Sequence, residues 1–175
     1  IWREEAKKLG IGEIYLCYFE NILQGVDPKP LGFDASIEFQ PNWWKLPAPM
    51  KRTTVGNYLM ERGIFLNGYH KHTFYDYEEV AQRMIDASAQ ITYKRYPGIT
   101  PMFDNTPRRK KEAAVLFNNH PEQYAFWLKT ILQNFKPFSR EENFIFINAW
   151  NEWGEGNHLE PCKRWGRAYL EATRD

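Results

Sequence analysis

The sequence has few of the features that mark a specialised chain. It carries two cysteines in 175 residues, Cys17 and Cys162, too few and too far apart for a disulfide framework or a cysteine metal site. Neither sign of charge dominates, with 23 basic side chains against 22 acidic ones. That balance gives no electrostatic footprint for nucleic acid or an anionic membrane. The one basic run, Arg108-Arg109-Lys110-Lys111, is short. No apolar run approaches the roughly 18 residues of a membrane helix. No Asn-x-Ser/Thr acceptor is present, and no glycine-rich turn follows a predicted strand, so a dinucleotide-binding fold has little support. His70 and His72 have no third ligand at metal spacing. Neither a metal nor an organic cofactor is therefore expected, and the reducing cytoplasm is the default compartment.

Aromatic residues, in contrast, are abundant: seven Trp, ten Tyr and twelve Phe make 17% of the chain. Such an excess builds a large core or supplies flat platforms for a ligand such as a sugar face. Composition does not choose between them.

The first ten residues, Ile1 to Gly10, read as a helix with Gly10 as its C-terminal stop. A chain that opens in the middle of an element is expected to continue a longer domain. Glu13–Phe19 is a short, nearly continuous apolar run, as in a strand buried on both faces. Phe33–Phe39 alternates strictly, with Asp34, Ser36 and Glu38 on one face. Residues 40–75 are rich in Pro and aromatics and read as a long loop, with a short helix expected within 51–65. Asp76 caps a helix, with Glu79 three residues on. Ile99–Phe103 reads as a strand ending in Asp104-Asn105. Pro121 opens a second helix, with Tyr124, Phe126, Trp127, Leu128, Ile131, Leu132 and Phe135 expected as its broad buried face, and Phe144–Ile147 is the most apolar strand. A closing helix is expected from about Cys162 to Thr173.

Strands separated by helices argue a parallel sheet. Polar residues just past strand ends favour a (β/α)8 TIM-type barrel, whose catalytic groups occupy that rim. A whole barrel needs about 250 residues, so residues 1–175 are expected to be about its C-terminal half, in one domain, partnered by a missing N-terminal half.

The chemistry concentrates in Trp150-Asn151-Glu152-Trp153-Gly154-Glu155-Gly156-Asn157. Two carboxylates three residues apart lie among two glycines and two tryptophans. Gly154 and Gly156 permit turns that aim both carboxylates at one cavity, and the indoles exclude water or stack on sugar rings. Desolvation and mutual repulsion would hold one carboxyl protonated and leave the other ionised, the division of labour that glycosidic chemistry requires. Asp104, Asn105 and Arg108 are further candidates to bind hydroxyls or a charged group, with an Asp/Asn turn and a surface Arg as the alternative. Asp34 and Glu38 face either the site or an internal hydrogen-bond network. Glu160, before Pro161, reads as a helix-start residue.

The run Phe146–Pro161 resembles the signature of the WbsX-type glycosyltransferase family, which is related to the catalytic domain of glycoside hydrolase family 99. Gly32-Phe33-Asp34-Ala35 with Glu38-Phe39, Asp104–Arg109 and Tyr169-Leu170-Glu171-Ala172 match it in order, so the resemblance covers nearly the whole chain. It implies a (β/α)8 barrel acting on glycosides. It also implies that Glu152 acts as a base on a sugar 2-hydroxyl, giving a 1,2-anhydro intermediate, and that Glu155 is the general acid/base. Asn151 would hold a sugar hydroxyl; apart from the resemblance, Trp153 by its indole and Asp34 by its strand face are the other candidates to line the substrate. Cys162 stands where the family usually has Asp, a departure that bears on a cap at that helix start and not on the glutamates. Three functions are consistent with this reading. One is hydrolase-like cleavage of glycosidic bonds. The second is glycosyl transfer in lipopolysaccharide, O-antigen or other surface polysaccharide biosynthesis. The third is non-catalytic sugar binding.

Overall fold

The computed structural model describes residues 1–50, 62, 64 and 71–175. Of the helix expected within 51–65, only positions 62 and 64 are described; His70 lies outside the described residues.

Helix α1 (Trp2–Lys8) ends as expected, with Gly10 at φ +72°. Strand β1 (Cys17–Phe19) pairs parallel with β2 (Ala35–Ile37), which pairs parallel with β4 (Arg95–Tyr96). Only Pro97 separates β4 from β5 (Gly98–Ile99), and β5 pairs parallel with β7 (Phe146–Ile147). Four chain passes thus run side by side in sequence order. Gly98 has a steric role here: a Cβ at this position would collide with the Glu38 carbonyl oxygen. No closed barrel is formed by the described residues.

A second parallel pair, β3 (Thr73–Asp76) with β6 (Ala114–Phe117), was not foreseen. The paired stretch of the middle strand also falls earlier than expected, at Arg95–Ile99 and not at Ile99–Phe103. Past it the chain is held by side chains: Tyr77 Oη donates to the Thr100 carbonyl at 2.7 Å.

Asp76 caps α2 (Tyr77–Ser88) as its position predicts, accepting from the amides of Glu78 at 3.0 Å and Glu79 at 3.2 Å. Two otherwise orphan donors of the first turn are thereby satisfied. Pro121 is the first residue of α3 (Pro121–Asn134). Tyr124, Trp127 and Leu128 are buried, whereas Phe126 and Leu132, expected on the same face, are exposed. One helix buries one stripe against a neighbour, and seven apolar residues are more than that stripe holds. The closing helix α4 (Ala168–Arg174) begins later than expected. Residues 162–166 instead make a turn closed by the Cys162–Gly166 bridge, with Gly166 at φ +54°.

The main core joins α2, α3 and α4 to the sheet through Tyr77, Met84, Ile99, Trp127 and Tyr169. Tyr77 and Trp127 meet edge to face at 5.8 Å. Side chains of this size stabilise the fold by roughly 1.5–3 kcal/mol each on burial. No helix among the described residues is long and apolar enough to cross a membrane.

The polar face of β2 points into the protein. Ser36 and Glu38 are both buried. Arg95 lies 3.3 Å from Glu20 and 3.2 Å from Glu38, with all three side chains at 5% exposure or less. Ser36 and Tyr93 donate to Glu20, and Ser88 and the Gly98 amide donate to Glu38. For Glu38 the internal-network reading therefore describes what the fold contains.

Candidate functional site

After β7 the chain enters the Trp150–Asn157 motif and folds back on itself. Strand β8 (Asn151–Glu152) and strand β9 (Asn157–His158) form an antiparallel hairpin. Trp153–Glu155 makes one 3-10 turn at its tip, closed by Gly156 at φ +50°. That left-handed backbone suits glycine. A Cβ on Gly156 would also lie 2.9 Å from the Asp104 carbonyl oxygen. Gly154 serves by its smallness: a Cβ there would lie 2.9 Å from Arg108 Cδ and 3.2 Å from Glu152 Oε1.

The turn is braced by the segment following β5. The Asp104 amide donates to the Glu155 carbonyl at 2.7 Å. Asp104 Oδ1 accepts from the Thr106 amide at 2.9 Å, and Asn105 Oδ1 accepts from the Ala114 amide at 2.9 Å. Asp104 and Asn105 thus shape their own turn and support the hairpin. Arg108 reaches further: its Nη1 lies 2.9 Å from Glu155 Oε1 and 3.9 Å from Glu152 Oε1. Both glutamates therefore converge on one guanidinium nitrogen. Their two oxygens are at most about 7 Å apart, an upper limit that does not exclude the carboxyl separations of about 5–5.5 Å used in retaining glycosidic chemistry.

The glutamate side chains keep 46% (Glu152) and 31% (Glu155) of their exposure. The desolvation expected around the pair is thus incomplete in these residues. Asn151 is exposed on β8, and Trp150 and Trp153 are about half exposed. Asp34 is placed apart, accepting from the Leu16 amide at 2.6 Å and Arg3 at 2.8 Å. Burial alone would raise its pKa, but those donors and the Arg3 charge outweigh it and hold the carboxyl below the usual range. Its observed work is to tie α1 to the sheet. Among the described residues no group of three or more His, Cys, Asp and Glu is placed to hold a metal ion.

Three residues were given no part in the site by the sequence reading. Glu160 does not start a helix; its Oε2 accepts from Trp153 Nε1 at 2.8 Å. His158 stacks on Trp153 with centroids 4.0 Å apart and planes 28° apart. Asn157 is fully buried and accepts from Thr100 Oγ1 at 3.0 Å, locking the hairpin to the chain beyond β5. All three lie within the signature run, but the sequence does not show that Glu160 and His158 turn back on Trp153 or that Asn157 meets Thr100.

Three comparisons bear on this arrangement. The family model described as "Glycosyltransferase WbsX" matches residues 1–173. Two curated relatives, each described as uncharacterized protein WxcX, come from Xanthomonas campestris pv. campestris strains B100 and ATCC 33913. They are 36% and 35% identical over 174 residues, 99% of this chain and 23% of theirs. The chain thus spans about a quarter of their length. A solved structure described as a glycoside hydrolase-like protein superposes with a TM-score of 0.53 at 11% identity, over 97% of this chain and 46% of that one. At that identity the likeness is one of fold.

Proposed function

Since the chain belongs to the WbsX glycosyltransferase family, we propose that it forms part of a carbohydrate-active enzyme whose acid/base pair is Glu152 and Glu155. The observation that carries this reading is the convergence of both carboxylates on Arg108 Nη1, at 3.9 and 2.9 Å. The glycoside hydrolase-like fold supports it. So does the parallel order of β1, β2, β4/β5 and β7, which is that of consecutive strands in a (β/α)8 barrel.

The steps follow from the two roles. Glu152 takes the proton of a sugar 2-hydroxyl while O2 attacks C1. Glu155 gives its proton to the departing glycosidic oxygen. Water then opens the 1,2-anhydro ring at C1, Glu155 taking the water's proton and Glu152 returning one to O2. Arg108 would stabilise whichever carboxylate is left charged after each transfer. Asn151 and the exposed indoles would position the ring.

The test is turnover of a panel of α-linked glycans by a chain of the relatives' full length. Glu152→Gln and Glu155→Gln should each reduce the rate by more than about 10²-fold, with circular dichroism unchanged. Wild-type rates in either folded variant would refute the assignment.

Glycosyl transfer is the second reading, favoured by the family's own description, with surface polysaccharide synthesis as the setting we propose for it. Transfer from a nucleotide sugar needs cations for a diphosphate. Arg108, the cation that meets the glutamates among the described residues, is already engaged by them, which favours glycosidic-bond chemistry. Production of a glycoside from a nucleotide sugar, with no hydrolysis of the panel, would reverse that order.

A further inference from the structure

The indole between the two glutamates is held on two sides. Its Nε1–H donates to Glu160 Oε2 at 2.8 Å. One ring face lies on His158 at 4.0 Å and 28°. Trp153 nevertheless remains 50% exposed. His158 is itself 93% buried, since its exposure is 7%, and the hairpin fixes it through its pairing with Asn151. Its Nδ1 lies 3.1 Å from the Glu160 carbonyl, which can only accept, so Nδ1 carries the hydrogen. The Glu160 amide is anchored in turn to the Trp150 carbonyl at 2.9 Å. An exposed Trp pays rotamer entropy when a ligand fixes it. Here the backing ring and the edge hydrogen bond have fixed it beforehand, with half of its surface still open to solvent. Trp150 is as exposed, yet has no backing ring among the described residues.

We infer that Trp153 is a preorganised stacking platform for a pyranose ring carrying an apolar C–H face, and that Glu160 and His158 are its positioning residues. This rests on the carbohydrate reading above and assigns the place of the ring beside Glu152 and Glu155. A C–H face suits the electron-rich indole, and stacking acts on the bound sugar in the ground state and the transition state alike. Loss of the platform should therefore appear in binding, with the chemical step spared.

The experiment uses the full-length chain with α-linked glucose, galactose and mannose trisaccharides as probes. Titration calorimetry in a Glu155→Gln background avoids turnover. Glu160→Ala should raise the dissociation constant of the best-bound probe about tenfold. Glu160→Gln, which keeps an acceptor oxygen, should restore it. His158→Ala should weaken binding similarly, and His158→Phe, which keeps a flat backing ring, should restore it. In the active chain Glu160→Ala should raise KM by a like factor and leave kcat within about twofold. Unchanged binding in Glu160→Ala and His158→Ala overturns the inference. So does binding of none of the probes, failure of the two restoring variants in folded protein, or a fall in kcat at constant KM. The calorimetric arm decides the platform even if the glutamate variants keep their activity and the acid/base reading fails.

Discussion

Arg95 is the residue whose loss should matter most outside the site. Its guanidinium sits between Glu20 and Glu38, and all three side chains are at least 95% buried. Two carboxylates on one cation leave an excess negative charge in a place water does not reach. Arg95→Met would leave both acids unpaired. We expect it to cost about 3–5 kcal/mol in urea unfolding, far more than the roughly 0–1 kcal/mol of an exposed pair such as Lys7–Glu13. Burial is the main reason that Glu38 is pushed above the usual glutamate range; Arg95, the Gly98 amide and Ser88 oppose it. Folded Glu38 therefore binds a proton more readily than unfolded Glu38. Its stabilising contribution is complete below the ordinary glutamate value of about 4.3 and is lost as pH rises through the higher folded value. The stability advantage of wild type over Glu38→Gln should shrink as pH is raised from about 4 to about 8. An advantage that grows over that range would rule this out. Much of this was readable at the level of type and little at the level of partner. The alternation over Phe33–Phe39 located a polar strand face, but nothing in the sequence paired Ser36 and Glu38 with Glu20, Ser88 and Arg95.

At the level of elements, the hairpin β8–β9 shows what a signature can and cannot convey. Two glutamates beside Gly154 and Gly156 announced a turn, because glycine spacing is a local property. Asp104, Asn105 and Arg108 were read as hydroxyl-binding candidates, with an Asp/Asn turn and a surface Arg as the alternative, and the bracing of the hairpin was not foreseen. Asp104 and Asn105 use their side chains on neighbouring amides, and only Arg108 extends to the glutamates. Strands β3 and β6 escaped notice for a related reason. Each is four residues long with half-buried side chains for the most part, so each is a strand chiefly because the other is beside it. Gly156 is where element and chemistry meet. Alanine there would have to adopt φ near +50° and move the Asp104 backbone, 2.9 Å from the added Cβ. The backbone conformation alone costs about 1 kcal/mol. The larger effect should fall on Glu155, whose carbonyl is held by the Asp104 amide. Gly156→Ala is expected to lower the melting midpoint by a few degrees and to reduce turnover more than tenfold, since about 1 Å of misplacement can cost 10²-fold. Loss of stability with full activity would show that the turn does not aim the carboxylate.

For the molecule as a whole, the sheet leaves two edges. Among the described residues β1 pairs only with β2, and β7 only with β5. Beside these edges Phe19 is 50% exposed, and Phe144, Trp44 and Trp150 are at least as open. An unpaired parallel edge bordered by aromatics is a template for another chain, and a barrel removes both edges by closing on itself. If the four strands are about half of a (β/α)8 barrel, residues 1–175 expressed alone should self-associate or melt without cooperativity. A chain of the relatives' length, of which this is about a quarter, should give a defined species with a sharp transition. Light scattering after size exclusion, with thermal unfolding followed at the tryptophans, distinguishes the two. A monomeric 175-residue chain with one sharp transition would mean that these strands close their own core. The sheet would then be an open one, folding without strands from outside residues 1–175.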